Sequence, residues 1–142
     1  MTTMRDILER KGRAVWSISA TAAVYDAIAL MADKSVGALL AMDGERLVGI
    51  VSERDYARKV ILMGKSSKDT RVQAIMTSEL VKVSLESDVQ ECMQLMTERR
   101  IRHLPVMDGD RVAGVVSIGD LVKSIITEQA LTIEQLERYV SG

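Results

Sequence analysis

Two seven-residue stretches, Gly49-Ile50-Val51-Ser52-Glu53-Arg54-Asp55 and Gly114-Val115-Val116-Ser117-Ile118-Gly119-Asp120, share the pattern Gly-h-h-Ser-x-x-Asp, with h apolar. Each stands where an apolar run of strand character gives way to helical periodicity. A serine at a helix N-cap accepts a hydrogen bond from an orphan amide, and an acid three residues later reaches back to the N-cap amide, so the pattern is first of all a capping box. The same geometry suits an anion: free amides and the positive end of the helix dipole face it, and the carboxylate can accept both hydroxyls of a ribose. In that second reading the glycine lets a ligand approach the strand closely. Duplication of the whole motif, glycine included, favours the functional reading over a cap alone.

Cations that could meet a phosphate are Arg54, inside the first motif, and the Arg102-His103 pair upstream of the second. His103 is either a hydrogen-bonded structural histidine or a ligand contact. Arg99 and Arg100 read as neutralising a helix C-terminus. Cys92 falls at the helical spacing of Val89 and Met96 and reads as core. One histidine and one cysteine cannot assemble a typical zinc site, and neither a Gly-x-Ser-x-Gly elbow nor a phosphate-binding Gly-x-x-x-x-Gly-Lys loop occurs. No metal, no catalytic residue and no catalytic cofactor are therefore expected; the chain reads as a binding protein and not an enzyme.

The elements that position these residues are themselves duplicated. A shift of 65 residues aligns Ser19–Ile61 with Ser84–Ile126 without a gap, giving 14 identities in 43 positions, where about three would arise by chance. Short strands are expected over Val15–Ser19 and Leu80–Ser84. Amphipathic helices follow, with Val24, Ala27, Ile28 and Met31 on one face in the first copy and Val89, Cys92, Met93 and Met96 in the second. Hairpins Ala38–Met42 with Leu47–Val51, and Leu104–Met107 with Val112–Val116, turn through Asp43-Gly44 and Asp108-Gly109. A second helix begins after each motif serine, so each copy is β-α-β-β-α. The expected class is α/β (α+β): two repeats, residues 1–65 and 66–127, packed about a pseudo-two-fold axis and joined by the polar linker Gly64–Asp69. A further amphipathic helix over residues 128–142 carries Ile133, Leu136 and Val140 on one face, either as an oligomer contact or as a cap on the chain's own core.

The chain of 142 residues is 47% apolar, enough for one respectable core, and 19 basic against 20 acidic residues leave no excess for sequence-independent nucleic-acid binding. No Phe, one Trp and three Tyr provide no stacking platform for single strands. The N-terminus lacks an apolar signal region and Cys92 cannot form an internal disulfide, so a cytoplasmic setting is expected. The most apolar stretch, Ala14–Ala32, is broken by Ser17, Ser19, Thr21, Tyr25 and Asp26, which argues against a membrane span.

These motifs, in this order and doubled, resemble the CBS domain family, arranged as the tandem pair called a Bateman module. The resemblance covers nearly the whole chain: Val72–Thr77, Ile101–Asp108 and Gly114–Asp120 in the second copy, Val36–Asp43 and Gly49–Asp55 in the first. It implies a regulatory protein that binds an adenine nucleotide (AMP, ADP, ATP or NAD) in the cleft between repeats, pairs as a homodimer and acts on a partner protein. It places Asp55, Asp120, Ser52 and Ser117 at the ribose. The backbone of Ser17 and Ile18, and of Lys82 and Val83, falls at the adenine edge with Ile101 beside the ring, and the Arg102-His103 pair lies near the cleft, where with Arg54 it is a candidate for phosphate. Where the family often has Thr on the first strand, Ser17 and Lys82 stand here. The other functional class is an interaction module with vestigial clefts that works through its dimer surface.

Overall fold

The computed structural model describes residues 1–141. Its elements are α1 (Met4–Lys11), β1 (Ser17–Ser19), α2 (Val24–Lys34), β2 (Ala38–Asp43), β3 (Arg46–Ser52) and α3 (Glu53–Tyr56), which runs into a π-helical turn at Ala57–Ile61. They continue with α4 (Val72–Ile75), β4 (Val83–Ser84), α5 (Val89–Arg99), β5 (His103–Asp108), β6 (Arg111–Ser117) and α6 (Ile118–Ser141). The chain is α/β, with two repeats that each form a three-stranded mixed sheet, ordered β1-β2-β3 and β4-β5-β6. The first pair in each sheet is parallel and the second antiparallel.

Local chemistry explains why both copies fold alike. Each hairpin has a two-residue loop opened by a glycine at φ 63°, Gly44 or Gly109, a backbone region that favours glycine. Both carry a bulge at the same level, where the register shifts between Ala41 and Met42 and between Val106 and Met107. Helices α2 and α5 bury the expected faces, Val24, Ala27 and Met31 in one and Val89, Cys92 and Met96 in the other. They end at Ser35 and Arg100, each left-handed at φ 54°. Arg100 thus closes α5 through its backbone. Burial pushes the Cys92 thiol up to about 12, as befits a core residue.

The folded units do not follow the boundaries of the repeat. Residues 15–80 form one compact unit, and residues 1–14 join residues 81–142 in the other. The N-terminal fourteen residues, expected within the first repeat, thus pack with the second, while residues 66–80 pack with the first. The cause is a helix that composition conceals. α1 is capped by a Thr3–Asp6 capping box and buries Met4, Ile7 and Leu8 in the core of Val83, Val89, Met96, Leu104, Val116 and Leu121. In the other unit α4 presents Val72, Ile75 and Met76 at the same spacing to Val24, Leu39 and Val51.

Three further expectations are corrected. β1 and β4 are shorter than predicted, because their parallel pairing spans only Ser17–Ser19 and Val83–Ser84; Lys82 lies just before its strand. The predicted separate helix at 128–142 is, up to Ser141, the continuation of α6, since no Gly or Pro interrupts residues 120–141; residue 142 lies outside the described residues. Gly49 and Gly114 do not leave room for a ligand: a Cβ on Gly49 would lie 2.6 Å from Met76 Sδ, and one on Gly114 2.6 Å from Leu8 Cδ2. These glycines admit the covering helix.

Beyond Ile125, the α6 side chains of Ile126, Leu131, Ile133, Leu136 and Val140 stand exposed, so this segment does not cap the chain's own core. Val122, Ile126, Gln129, Ile133, Leu136 and Val140 are spaced alternately by four and three residues, the spacing of a coiled-coil seam.

Candidate functional site

In the unit of residues 15–80, β3 ends at Ser52, whose backbone N–H and hydroxyl both donate to Asp55 Oδ2 at 3.0 Å, while Asp55 N donates to Ser52 Oγ at 3.1 Å. In the other unit Ser117 N donates to Asp120 Oδ2 at 2.8 Å and Asp120 N to Ser117 Oγ at 3.2 Å. Both turns are thus true capping boxes, as is Thr3–Asp6, which heads α1 with no site attached. The box alone therefore says nothing of a ligand; what surrounds it does.

Each carboxylate meets a lysine that sequence reasoning missed. Lys59, one turn beyond Asp55, lies 3.2 Å from its Oδ1 and donates to Ile75 O at 2.8 Å. Lys11, from α1, donates to Asp120 Oδ2 at 2.6 Å and to Val115 O at 2.7 Å. The Asp55-x-x-x-Lys59 spacing was legible as an i,i+4 ion pair; Lys11 gave no local signal, because it is 109 residues away in sequence from its partner. The side chains of Asp55 and Asp120 are 15% and 24% exposed, so both are screened yet reachable. Burial alone would raise the Asp120 carboxyl, but the Lys11 ammonium and the Ser117 amide outweigh it and hold Asp120 below the usual carboxylate value.

Register brings Arg102 and His103 beside the Ser117–Asp120 turn. His103 pairs with Ser117 across β5 and β6, and Ile118 N donates to Arg102 O at 2.8 Å. Val83 sits opposite Val106, three residues along from His103. Its side chain is buried in the core, and Ile101 packs against that core. Arg102 and Lys82 are exposed. His103 is partly buried, and its imidazole is held below the ordinary histidine value by that burial, then by Lys11, with Asp120 opposing and Arg102 adding to the effect. That shift favours the neutral imidazole, an N–H donor, at neutral pH.

In the first repeat, Ser17 pairs with Leu40 and Ser52 with Ala38, so β1 and the Ser52–Asp55 turn share one end of the sheet. Ser17 is exposed and Ile18 packs against the core. Arg54 is exposed, with no ion pair among the described residues. The positions matching Arg102 and His103 are Gly37 and Ala38, and the position matching Arg54 in the second repeat is Gly119, so the two turns draw their cations from different places.

A doubled mixed sheet, each copy closing on a strand-turn-helix with a capped acid, defines a tandem regulatory domain pair. The chain belongs to the CBS domain family: the CBS domain profile matches residues 4–61 and again 72–127. It is similar to the mitochondrial CBS domain-containing protein CBSX3 of Arabidopsis thaliana, with 41% identity over 150 residues, covering 99% of this chain and 73% of that protein. In structure it is similar to a CBS-domain protein of Burkholderia ambifaria MC40-6, provisionally described as acting in signal transduction, at 53% identity and TM-score 0.87 over 90% of this chain and 96% of that one. It also resembles a hexameric CBS-CP12 protein from bloom-forming cyanobacteria, at 31% identity and TM-score 0.76 over 84% of this chain and 66% of that one. Stand-alone CBS pairs are generally regulatory modules without catalysis. No helix among the described residues is long and apolar enough to cross a membrane.

Proposed function

We propose that this chain is a regulatory adenine-nucleotide sensor that catalyses nothing. Asp55 and Asp120 accept the ribose hydroxyls of an AMP-, ADP-, ATP- or NAD-type ligand, with Ser52 and Ser117 beside them. Backbone at Ser17 and Ile18, and at Lys82 and Val83, reads the adenine edge, Ile101 flanks the ring, and Arg54, Arg102 and the His103 N–H serve phosphate. The observation that carries this reading is the state of Asp120. One oxygen, Oδ2, takes both the Ser117 amide and Lys11, while Oδ1 accepts no hydrogen bond from the described residues and is left for a hydroxyl. Such a protein suits a reducing compartment such as the cytoplasm, where Cys92 stays a buried thiol.

The test is a thermal-shift screen with AMP, ADP, ATP, NAD and S-adenosylmethionine. A ligand present at about 100 times its Kd stabilises the fold by about 2.7 kcal/mol, a shift on the order of 5–10 °C for a chain of this size. No shift with any of them overturns the reading. It would favour the second one, an interaction module that acts on a regulated partner through its surface, for which the exposed apolar stripe of α6 speaks.

That stripe also supports a homodimer. Its β-branched residues Ile126, Ile133 and Val140 alternate with Val122, Gln129 and Leu136, a narrow, mostly apolar seam that the same helix of a second copy can cover. Light scattering at micromolar concentration is expected to give twice the chain mass, and Ile133→Lys with Leu136→Lys to give the chain mass. A monomeric parent would refute this arrangement.

A further inference from the structure

The two repeats deliver a cation to the same carboxylate from unrelated places. In the first, Lys59 comes from the helical segment of its own motif. The aligned position in the second is Ser124, whose side chain is buried and whose hydroxyl has no hydrogen-bond partner among the described residues. There the cation comes instead from α1, one turn beyond Leu8 on the same face, as Lys11. The covering segments explain the difference. After α4 the chain turns extended at Met76 and Thr77 pairs with Ile50, donating its amide to Ile50 O at 2.8 Å. α1 instead runs on for a further turn, and the Lys11 ammonium takes the equivalent carbonyl, Val115 O.

We propose that Lys11 is a phosphate-reading residue of the second-repeat site, making that site select a nucleoside 5′-phosphate over a nucleoside. The inference rests on the adenine-nucleotide reading given above. Lys11 is 37% exposed in its side chain, on a flexible stem, with one of its three N–H donors on Asp120 and one on Val115 O. A ligand whose ribose hydroxyls reach Asp120 brings its 5′-phosphate into the range of that ammonium, of Arg102 and of the His103 N–H. The ammonium then shares or transfers its bond from the carboxylate to the phosphate. A nucleoside without phosphate takes the same open Oδ1 and gains nothing from Lys11.

Calorimetric titration of adenosine and AMP into an Asp55→Ala background isolates this site. Before Lys11 is changed, AMP is expected to outbind adenosine by about 10- to 150-fold, the range of a hydrogen bond between charged groups. In Lys11→Met that ratio falls to within a few-fold of one while adenosine binds as well or better, and Lys11→Arg restores most of the preference. Lys11→Gln, which keeps a donor without the charge, serves if Lys11→Met does not fold. A preference retained without the lysine charge, or absent before it is removed, overturns the role of Lys11 and leaves the nucleotide reading standing. Failure of the Asp55→Ala protein to bind either ligand, while Asp120→Ala still binds, also overturns it. Failure of the unsubstituted chain to bind either overturns both.

Discussion

Removal of residues 1–12 is expected to unfold the unit formed by β4, β5, β6, α5 and the start of α6. α1 contributes Met4, Ile7 and Leu8, between 0% and 4% exposed, to that core. Burying each is worth about 1.5–3 kcal/mol, and together they approach the whole stability of a domain, about 5–15 kcal/mol. Leu8→Ala alone should cost about 2–5 kcal/mol, because the side chain fills the groove over Gly114 and leaves a cavity when cut back. Hydrogen exchange resolves the outcome by segment. Amides of β5 and β6 should lose protection in the truncated chain, and full protection there would mean that α1 is an accessory. Truncation also removes Lys11, so Lys11→Met at full length serves as the control that separates loss of packing from loss of charge.

The second large effect concerns the two carboxylates. Asp55→Ala with Asp120→Ala is expected to abolish nucleotide binding while costing only about 0.5–2 kcal/mol of stability per lost cap. Two ribose hydroxyls on one carboxylate, at about 1.5–3 kcal/mol each, correspond to a 10²- to 10⁴-fold loss per site. Calorimetry on the two single variants and the double decides this, and a double variant that binds as its parent would remove the ribose assignment. The same carboxylate gives an acid signature. Asp120 lies below its ordinary 3.8 in the folded chain, so it contributes stability that is fully present above that value and is lost as pH falls through the lower folded one. Parent and Asp120→Asn should therefore melt apart at neutral pH and converge as pH falls through that lowered folded value.

What the sequence made readable was whatever lay within a turn or two of itself. The hairpins at Asp43-Gly44 and Asp108-Gly109, the buried faces of α2 and α5 and the capping boxes at Ser52 and Ser117 are all local, and all are in place. α1 was overlooked although Thr3-x-x-Asp6 followed by Ile7-Leu8 is a helix start of the same kind as Ser52-x-x-Asp55; its eight residues are mostly polar, and only three touch the core. Gly114 looked like space for a ligand because nothing nearby in sequence reveals that Leu8 occupies it. The burial that lowers the His103 pKa, and the Lys11 charge that adds to it, are likewise set by parts of the chain far from it in sequence. Long-range pairings such as Lys11 with Asp120 are set by topology, and no spacing rule reaches them.

The placement of α1 has a consequence for how the molecule assembles in time. Residues 15–80 are contiguous, so that unit can form from neighbouring segments of one stretch of chain. The other unit is discontinuous: α1 must find β6 and α6 across everything between Ala14 and Val81. Closing a loop costs entropy that grows with the logarithm of its length, about 0.6 kcal/mol per doubling, and contacts distant in sequence form slowly for the same reason. Once residues 15–80 are folded, the span to be closed shrinks from a long coil to the distance between two anchored ends. Connectivity therefore predicts an order: the contiguous unit forms first, and the sheet of residues 83–117 becomes stable only as α1 docks on it.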